Sequence, residues 1–359
     1  MKKAILAWAA VLVMLSCGPK PPSAAELLAQ RVQARLAQMT LEQKVGQLFY
    51  VRVESLLDTL PVGGVVLFGK DVRDSAQLKA LVDSLHALPF QPLVCIDEEG
   101  GRVARIGNNK AFNVPRFASM AAVAASGKPG DAYDCGHAIG TYLKDFGFDI
   151  DFAPVADVNT NPANPVIGNR AFSGDPAVAA PMVSAYLRGL QDAGVLGCIK
   201  HFPGHGDTRT DTHYGYAQSL KTWEEMLSCE MLPFKAGIDW GVPMVMTAHI
   251  AVPKVTGTLE PSTVSSLMLT EKLRGELGFE GVIVTDGMGM GAITRQYRSG
   301  EAAVKALQAG ADIILLPEDL QEAYDAVLAA VADSTLTAAR LDASVSRILT
   351  LRFMGKESN

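Results

Sequence analysis

Asp286 is the acidic residue whose surroundings most favour chemistry. It directly follows the run 282–285 (Val-Ile-Val-Thr), which predicts a rigid strand, and glycines at 287, 289 and 291 leave space beside it. A carboxylate held rigidly next to open space is suited to act as a nucleophile. The alternative is that Asp286 caps the N-terminus of the following helix.

Asp211 and His213 form a second candidate, for proton transfer. Side chains two positions apart in an extended or turning loop can point the same way, so Asp211 can accept a hydrogen bond from one ring nitrogen of His213. The carboxylate would then fix the tautomer and raise the basicity of the other nitrogen. Such a pair can both donate and remove a proton near neutral pH.

Histidines are concentrated around this pair, because three of the six in the chain lie within positions 201–213. A metal site is the first rival interpretation. Zinc ligands usually lie at tight spacing on rigid elements, whereas this segment is broken by proline and glycine at 203, 204 and 206. We therefore expect neither a metal nor another cofactor. A solvated polar loop is the other alternative, but Lys200 and His201 at the end of an apolar strand fit it poorly.

Five polar segments fall where predicted strands end. They are 97–102, 164–170, 200–207, His249 and Asp286. In a parallel α/β barrel, catalytic groups come from the C-terminal ends of the strands and from the loops that follow. One such segment is common by chance, but five together predict a shared site.

The strands that position these groups are short apolar runs separated by stretches with helical periodicity. The eight predicted strands are Leu48–Val53, Gly64–Phe68, Leu93–Ile96, Ile150–Pro154, Leu196–Lys200, Val242–Ala248, Val282–Thr285 and Ile313–Leu316. The predicted helices are Leu27–Met39, Ala76–Leu88, Ala132–Phe146, Pro176–Ala193, Trp223–Gly237, Ser262–Leu277, Ala302–Ala309, Glu322–Ala332 and Leu336–Phe353. Continuous apolar strands alternating with helices indicate a parallel sheet covered by helices, and eight repeats favour a single α/β domain, a closed (β/α)8 TIM-type barrel.

Composition is that of an ordinary globular protein, with 48% hydrophobic and 19% charged residues among 359. Disorder, collagen-like repeats and a coiled coil are therefore excluded. The net charge is −6 without a long basic run, so we expect no nucleic-acid partner. No CxxC pair is present, and Cys95 and Cys198, in apolar strand-like runs, are predicted core residues.

The N-terminus has the features of an export signal. Lys2 and Lys3 precede an apolar run of 12 residues, Ala4–Leu15, which is too short to span a membrane as an ordinary helix. The following Ser-Cys17 is typical of a bacterial lipoprotein signal, and a plain secretory signal is the alternative. We predict a signal peptide at 1–16, a tether and leading segment at 17–34, and a catalytic domain at 35–359. The protein would lie in the cell envelope, in contact with a membrane only through a lipid anchor at Cys17.

A longer string now carries a resemblance to a known family. Residues 200–208 (Lys-His-Phe-Pro-Gly-His-Gly-Asp-Thr), followed by Asp-Thr-His at 211–213, resemble the signature of glycoside hydrolase family 3 β-N-acetylhexosaminidases. Segments 97–105, 168–172 and 285–288 fall in the family's order and places. The resemblance implies a (β/α)8 barrel and a retaining, exo-acting enzyme. Its substrate would be a carbohydrate with terminal β-linked N-acetylglucosamine, in peptidoglycan fragments or other glycans.

The resemblance also implies a role for individual residues. Asp286 would be the nucleophile that forms a glycosyl-enzyme intermediate, and His213, held by Asp211, would be the general acid/base. The residues that match sugar-binding positions of the family are Asp97, Arg105, Arg170, Lys200 and His201. His249 is a weaker candidate near the pocket. This pattern departs from the usual pair of glycosidase carboxylates, because a histidine replaces one of them.

Three alternatives stay open at this point. A β-glucosidase of the same family usually has a further domain that supplies a glutamate acid/base, for which 359 residues leave little room. A phosphorylase is the second, because a histidine tolerates incoming phosphate better than a carboxylate does by charge. A non-catalytic lipoprotein that binds muropeptides is the third, although simple binding needs no nucleophile. If His213 does not transfer the proton, Glu98 or Glu99 is the next acid to test.

Overall fold

Eight parallel strands form a barrel in the computed structural model, which describes residues 22–56, 60–209 and 217–357. The strands are Phe49–Arg52 (β1), Gly64–Leu67 (β2), Leu93–Ile96 (β3), Ile150–Asp151 (β4), Leu196–Phe202 (β5), Met244–Thr247 (β6), Val282–Val284 (β7) and Ile314–Leu315 (β8). Each strand pairs with the next in chain order, and β8 returns to β1. A parallel bridge between Val284 and Ile313 closes the ring between β7 and β8. The predicted (β/α)8 barrel is therefore confirmed.

The strands are buried on both sides, which is why their sequences are apolar runs rather than alternating patterns. All four residues of β2 and of β3 are buried, and the two strands pair from Gly64↔Leu93 to Leu67↔Ile96. A Cβ on Gly64 would lie 2.5 Å from the Tyr50 ring, so the ring can pack beside β2 only because this position has no side chain. Cys95 and Cys198 are fully buried with free thiols, as predicted for core residues.

Helices cover the outside of the barrel. They are Ala24–Gln38, Leu41–Gln47, Ser75–His86, Pro129–Phe146, Pro176–Asp192, Trp223–Leu227, Met231–Trp240, the π-type helix Leu267–Glu276, Ser299–Ala309, Leu320–Ala332 and Ala338–Glu357. Short helical turns lie at Val53–Ser55, Gly69–Asp71, Met120–Val123, Ala124–Ser126, Gly168–Arg170, Pro253–Thr256, Ser262–Val264 and Gly291–Thr294. Two small sheets pair Glu98–Gly100 with Val103–Ala104, and Ala217–Gln218 with Ile250–Ala251. In the part of the chain that is described, no helix is long and apolar enough to cross a membrane.

Two predicted helices differ from the structure. The predicted helix 223–237 is two helices, because Pro233 has no N–H and needs the first turn of a new helix. The predicted helix 262–277 begins only at Leu267, since the Ser262 and Thr263 hydroxyls bind the carbonyl groups of Ile250 and Ala248 instead. Helix Leu41–Gln47 was not predicted, although Thr40 and Gln43 form a capping box at its start.

The N-terminal end of the barrel is held by the base cluster, which consists of Asp312, Arg274, Arg340 and Arg347. Asp312 is fully buried just before β8, and Arg274 Nη2 donates to its Oδ2 at 2.5 Å. Arg347 Nη1 and Arg340 Nη1 lie 3.2 and 3.4 Å from its Oδ1. These arginines come from the π-type helix and the terminal helix, so the base cluster fastens both to the barrel.

Candidate active site

A cavity of about 680 Å³ opens at the C-terminal ends of the strands. The sequence-derived candidates that line it are Asp97, Arg105, Arg170, Lys200, His201 and Asp286. They come from the end of β5 and from the segments after β3, β4 and β7, which are far apart in the chain. The structure therefore brings six predicted site residues into one cavity. Asp211 and His213 lie outside the described residues.

One wall of this cavity is the cavity cluster, which consists of Asp97, Glu99, Lys200, Arg170 and Arg105. Lys200 Nζ lies 2.7 Å from Asp97 Oδ1 and 2.6 Å from Glu99 Oε1. Arg170 donates to Glu99 twice, from Nε to Oε2 at 2.8 Å and from Nη2 to Oε1 at 2.7 Å. Arg105 Nη2 donates to Asp97 Oδ2 at 3.2 Å. The wall thus offers charged donors and acceptors, which suit a ligand with several hydroxyl groups.

Glu99 and Lys200 of the cavity cluster stay charged although they are buried. Burial raises the pKa of Glu99, but the charges of Arg170 and Lys200 outweigh this effect and hold the pKa far below its usual value. Burial lowers the pKa of Lys200, but the charges of Asp97 and Glu99 hold it above the ordinary range. Each of these two charges therefore depends on its oppositely charged partners.

Glu98 points away from the cavity, because successive side chains of an extended segment face opposite sides. Its carboxylate accepts hydrogen bonds from the N–H groups of Ile106 and Gly107 at 2.9 and 2.7 Å, and from the Tyr142 hydroxyl at 2.8 Å. Both oxygens of Glu99 are bound within the cavity cluster. Neither glutamate therefore presents an unbound carboxyl group to the cavity.

Asp157 is a buried carboxylate that was not identified from the sequence. Its Oδ2 lies 2.7 Å from His201 Nδ1, and it also accepts the backbone N–H groups of His201 and His205 at 3.2 and 2.5 Å. Burial raises its pKa, but the charge and hydrogen bond of His201 lower it overall, so Asp157 stays ionised. It therefore fixes the proton on His201 Nδ1. A lone acid after the apolar run 152–156 was the available signal.

His205 lines the cavity beside His201, with the two rings 6.1 Å apart. Its Nδ1 lies 2.7 Å from the Thr208 hydroxyl, and Nε2 has no partner among the described residues. Asn164 Nδ2 donates to the His205 carbonyl at 2.8 Å and fastens this loop to the segment that carries Arg170. Burial lowers the pKa of His205, so its imidazole is neutral.

Asp286 lies at the end of β7 and is held on both sides by backbone hydrogen bonds. Its N–H donates to the Thr247 carbonyl at 3.1 Å, and the Gly287 N–H donates to its Oδ1 at 2.7 Å. Burial raises its pKa, but the charges of His249 and His201 and the Gly287 hydrogen bond lower it below the usual value. Met290 occupies the N-cap position of the next helix, Gly291–Thr294, so Asp286 is not its N-cap. Asp286 is thus an ionised carboxylate at the cavity surface.

His249 lies behind Asp286 rather than in the cavity lining, and 1% of it is exposed. Its Nε2 donates to the Gly287 carbonyl at 3.0 Å, and its Nδ1 lies 2.8 Å from Thr263 Oγ1. The structure therefore places it against the turn that carries Asp286.

The described residues on either side of positions 210–216 are in contact with each other. Ala217–Gln218 pairs with Ile250–Ala251, which follows His249. Ser219 Oγ donates to Asp207 at 3.1 Å and so ties the two sides of the segment together. Within residues 22–56, 60–209 and 217–357, no group of three or more histidine, cysteine or acidic side chains is placed to hold a metal ion.

The chain is similar to known proteins over most of its length. Residues 40–351 match the model of the glycosyl hydrolase family 3 N-terminal domain. Beta-hexosaminidase A of Pseudoalteromonas piscicida is 35% identical over 328 residues, which cover 84% of this chain and 54% of that protein. Beta-hexosaminidase of Xanthomonas campestris pv. campestris (strain B100) is 36% identical over 294 residues, which cover 80% of this chain and 86% of that one.

A solved structure is similar over most of the chain. The glycoside hydrolase family 3 beta-N-acetylglucosaminidase from Paenibacillus sp. str. FPU-7 superposes with a TM-score of 0.84 and 39% identity. The match covers 89% of this chain and 63% of that one. The present chain thus spans 54% of the Pseudoalteromonas relative and 63% of this structural relative.

Proposed function

Because the chain belongs to glycosyl hydrolase family 3, we propose that it is a retaining, exo-acting β-N-acetylhexosaminidase that removes terminal β-linked N-acetylglucosamine. The observation that carries this proposal is the placement of Asp286. Its ionised carboxylate lies at the rigid end of β7, in the same cavity as the cavity cluster. A carboxylate nucleophile facing a wall of sugar-binding groups is the arrangement that a retaining glycosidase needs.

The reaction proceeds in two displacements at C1 of the terminal sugar. Asp286 forms an ester bond to C1 while the bond from C1 to the leaving oxygen breaks, and that oxygen takes a proton from His213. Water then attacks C1, gives a proton to His213, and the ester bond breaks. Two inversions retain the configuration. The assignment of proton transfer to His213, with Asp211 as its partner, rests on the sequence.

The cavity cluster supports an exo-acting enzyme. Lys200 and Glu99 are 2% and 1% exposed, so the wall that they form is closed by side chains. The hydroxyl groups of a terminal sugar can exchange hydrogen bonds with this wall. A further sugar on that side would have to displace buried ion pairs, which is unfavourable.

Turnover of nitrophenyl β-N-acetylglucosaminide tests the activity directly. We expect release of N-acetylglucosamine at a rate independent of added phosphate, and a 2-fluoro or 5-fluoro sugar analogue should label the peptide that contains Asp286. Formation of N-acetylglucosamine 1-phosphate would identify a phosphorylase instead. No turnover of either kind, with ligand binding retained, would indicate a binding protein.

A series of leaving groups tests His213. A general acid matters most when the leaving group is poor. We expect His213→Ala to slow hydrolysis of disaccharides far more than hydrolysis of activated aryl glycosides, and Asp211→Ala to do so less. The exposed His137 is the control position, where alanine should change neither. Equal losses on good and poor leaving groups would contradict proton transfer by His213.

We also propose that the enzyme is a lipoprotein of the cell envelope that acts on peptidoglycan fragments. The support is the order of two lysines, an apolar run and Ser-Cys17 at the N-terminus. Cys17→Ala should prevent lipid attachment and release the protein from the membrane fraction without detergent. Full-length wild-type enzyme free in the cytoplasm would contradict the location. Faster hydrolysis of chitobiose than of muropeptides would contradict the substrate.

A further inference from the structure

The ring of His249 is held at both nitrogens behind the turn that carries Asp286. Nε2 is 3.0 Å from the Gly287 carbonyl oxygen, and because a carbonyl can only accept, Nε2 carries a proton. Nδ1 is 2.8 Å from Thr263 Oγ1, and which of these two atoms donates depends on the other contacts of the hydroxyl. The donors and acceptors at these two contacts therefore bear directly on where the ring carries protons.

The Thr263 hydroxyl has three polar neighbours but only one proton. Its oxygen lies 3.1 Å from the Ala248 carbonyl, 2.8 Å from Thr247 Oγ1 and 2.8 Å from His249 Nδ1. The carbonyl can only accept, so Thr263 donates to it, and Thr247 then donates to Thr263. The contact with His249 becomes a hydrogen bond only if Nδ1 donates as well. All four hydrogen bonds are satisfied together when both ring nitrogens are protonated.

A buried imidazolium needs a nearby anion, because an isolated buried charge is strongly unfavourable. Asp286 supplies it, since His249 donates to the residue bonded directly to Asp286. His201 and Lys200 also lower the pKa of Asp286, and the neutral ring of His205 lies beside His201. Lys200 is already paired with two carboxylates of the cavity cluster. His249 thus acts on Asp286 through Gly287, to whose carbonyl its Nε2 donates.

We propose that His249 is a buried imidazolium that positions the turn at 286–288 and keeps Asp286 ionised as the nucleophile. This inference rests on the proposed nucleophilic role of Asp286, and His249 is a positioning residue that does not touch the substrate. The carbonyl of Gly287 is fixed by Nε2, while the Gly287 N–H donates to Asp286 Oδ1 at 2.7 Å. A single residue, Gly287, therefore links the imidazolium to the carboxylate through its carbonyl and its N–H, and the positive charge opposes protonation of Asp286.

Nitrogen NMR of the histidine side chains tests the charge without any turnover, so its outcome is independent of the proposed function. His249 is assigned in ¹⁵N-histidine-labelled protein as the signal that is lost in His249→Gln. We expect both of its ring nitrogens to remain protonated at a pH at which the exposed His137 has lost its proton. An unprotonated Nδ1 at neutral pH would overturn the proposal.

The pH dependence of kcat/KM tests the consequence for Asp286. His249→Gln keeps an N–H donor for the Gly287 carbonyl but removes the charge. We expect the acid limb of kcat/KM to move up by about one pH unit, because a nearby opposite charge lowers a carboxylate pKa by roughly that much or more. Below the acid limb this is a loss of about tenfold. An acid limb in the wild-type position would overturn the proposal.

His86→Gln is the matched control for this experiment. His86 Nε2 lies 3.0 Å from Asp149 Oδ2, so the same substitution removes another histidine that is paired with a carboxylate, but away from the cavity. We expect it to leave the acid limb unchanged. A shift of equal size in His86→Gln would mean that the effect is general destabilisation, and would overturn the specific role of His249.

Thr263 gives a second, independent pair of variants in case His249→Gln does not fold. Thr263→Val removes the acceptor of the Nδ1 proton with little change in shape, whereas Thr263→Ser keeps it. We expect the valine variant to move the acid limb in the same direction by a smaller amount, and the serine variant to restore it. Identical pH profiles for the two variants would show that the hydroxyl does not support an imidazolium.

Discussion

The cavity cluster and the base cluster are both buried networks of acidic and basic side chains, but they lie at opposite ends of the barrel. In the base cluster, backbone carbonyls take up remaining guanidinium protons, as when Arg274 Nη1 donates to Phe279 and Gly281 at 3.1 and 3.0 Å. In the cavity cluster the charged groups bind mainly one another, and Arg105 Nε has no partner among the described residues. The base cluster is complete by itself, whereas the cavity cluster keeps capacity for a ligand. We therefore expect similar charges to serve stability at one end and recognition at the other.

The largest effect that separates the two ends should follow from Asp286→Ala. We expect kcat to fall by roughly 10³–10⁵-fold, because both covalent catalysis and the stabilisation of positive charge at C1 are lost. The melting temperature should stay close to that of the wild type. Azide, which can replace the carboxylate as a nucleophile, should restore turnover and give the α-glycosyl azide. An alanine variant with near wild-type kcat would remove Asp286 from the mechanism.

Asp312→Ala should give the opposite result at the base cluster. It leaves three arginines without their buried carboxylate, and breaking such a network costs about 3–5 kcal/mol of stability. We expect a much lower urea midpoint but an unchanged kcat and KM for the molecules that remain folded. The measurement is chemical unfolding beside assays well below the midpoint. A changed KM in folded protein would mean that the two ends are coupled.

How far the sequence predicts this molecule depends on whether a feature is local. The apolar composition of a run such as 282–285 is enough to predict a buried strand, and each predicted strand is present. The predicted strand 150–154 is shorter in the structure and consists of Ile150–Asp151. The helix 223–237 was predicted as one because its periodicity continues past Pro233. Six site residues lie at the C-terminal ends of strands or in the segments that follow them, where the fold itself indicates function. Their roles in catalysis stay predictions.

The residues that sequence analysis missed act through long-range contacts. Glu99 was grouped with Glu98, and only the structure separates a wall residue of the cavity from a carboxylate that holds a loop. Asp157 binds His201, which lies 44 positions away in the chain, and the sequence around Asp157 does not indicate this partner. The apolar run before Asp157 predicts a strand but assigns no role to Asp157, because a lone acid after an apolar run is also a common helix cap.

Lys200→Met should show whether the cavity cluster serves recognition. We expect kcat/KM to fall by about 10²-fold, because Asp97 and Glu99 lose the cation that orients them. Each hydrogen bond to a charged group is worth a few kcal/mol. The stability loss should be smaller than that of Asp312→Ala, because Arg170 still pairs with Glu99 and Arg105 with Asp97. Lys235→Met, at an exposed pair with Asp239, is the control without effect. If Lys200→Met lowered stability alone, the cavity cluster would be structural like the base cluster.

A smaller loss of activity than that of Lys200→Met is expected for Asp157, which combines the features of both ends. Like the base cluster it binds backbone groups, here the N–H groups of His201 and His205, and like the cavity cluster it holds a cavity side chain. Asp157→Asn should therefore lower stability by about 1.5–3 kcal/mol, the usual worth of hydrogen bonds to a charged group, and also lower kcat/KM about tenfold. The second loss follows because an amide no longer fixes the proton on Nδ1.

Asp149→Asn is the matched variant for Asp157→Asn, because Asp149 accepts a backbone N–H of Val94 at 2.8 Å and lies 3.0 Å from His86 Nε2, away from the cavity lining. It should lower stability without changing kcat/KM. The pH dependence gives a further check. The folded pKa of Asp157 lies below the unfolded value of about 3.9, so its contribution is present above that pH and is lost as pH falls through the folded pKa. The stability difference between wild type and Asp157→Asn should therefore be constant from about pH 5 to 7 and shrink below about pH 4. If the stability difference does not shrink, or if Asp149→Asn and Asp157→Asn lose kcat/KM equally, Asp157 acts only through packing. Asp157 would then belong to the residues that stabilise the fold and not to those that serve recognition.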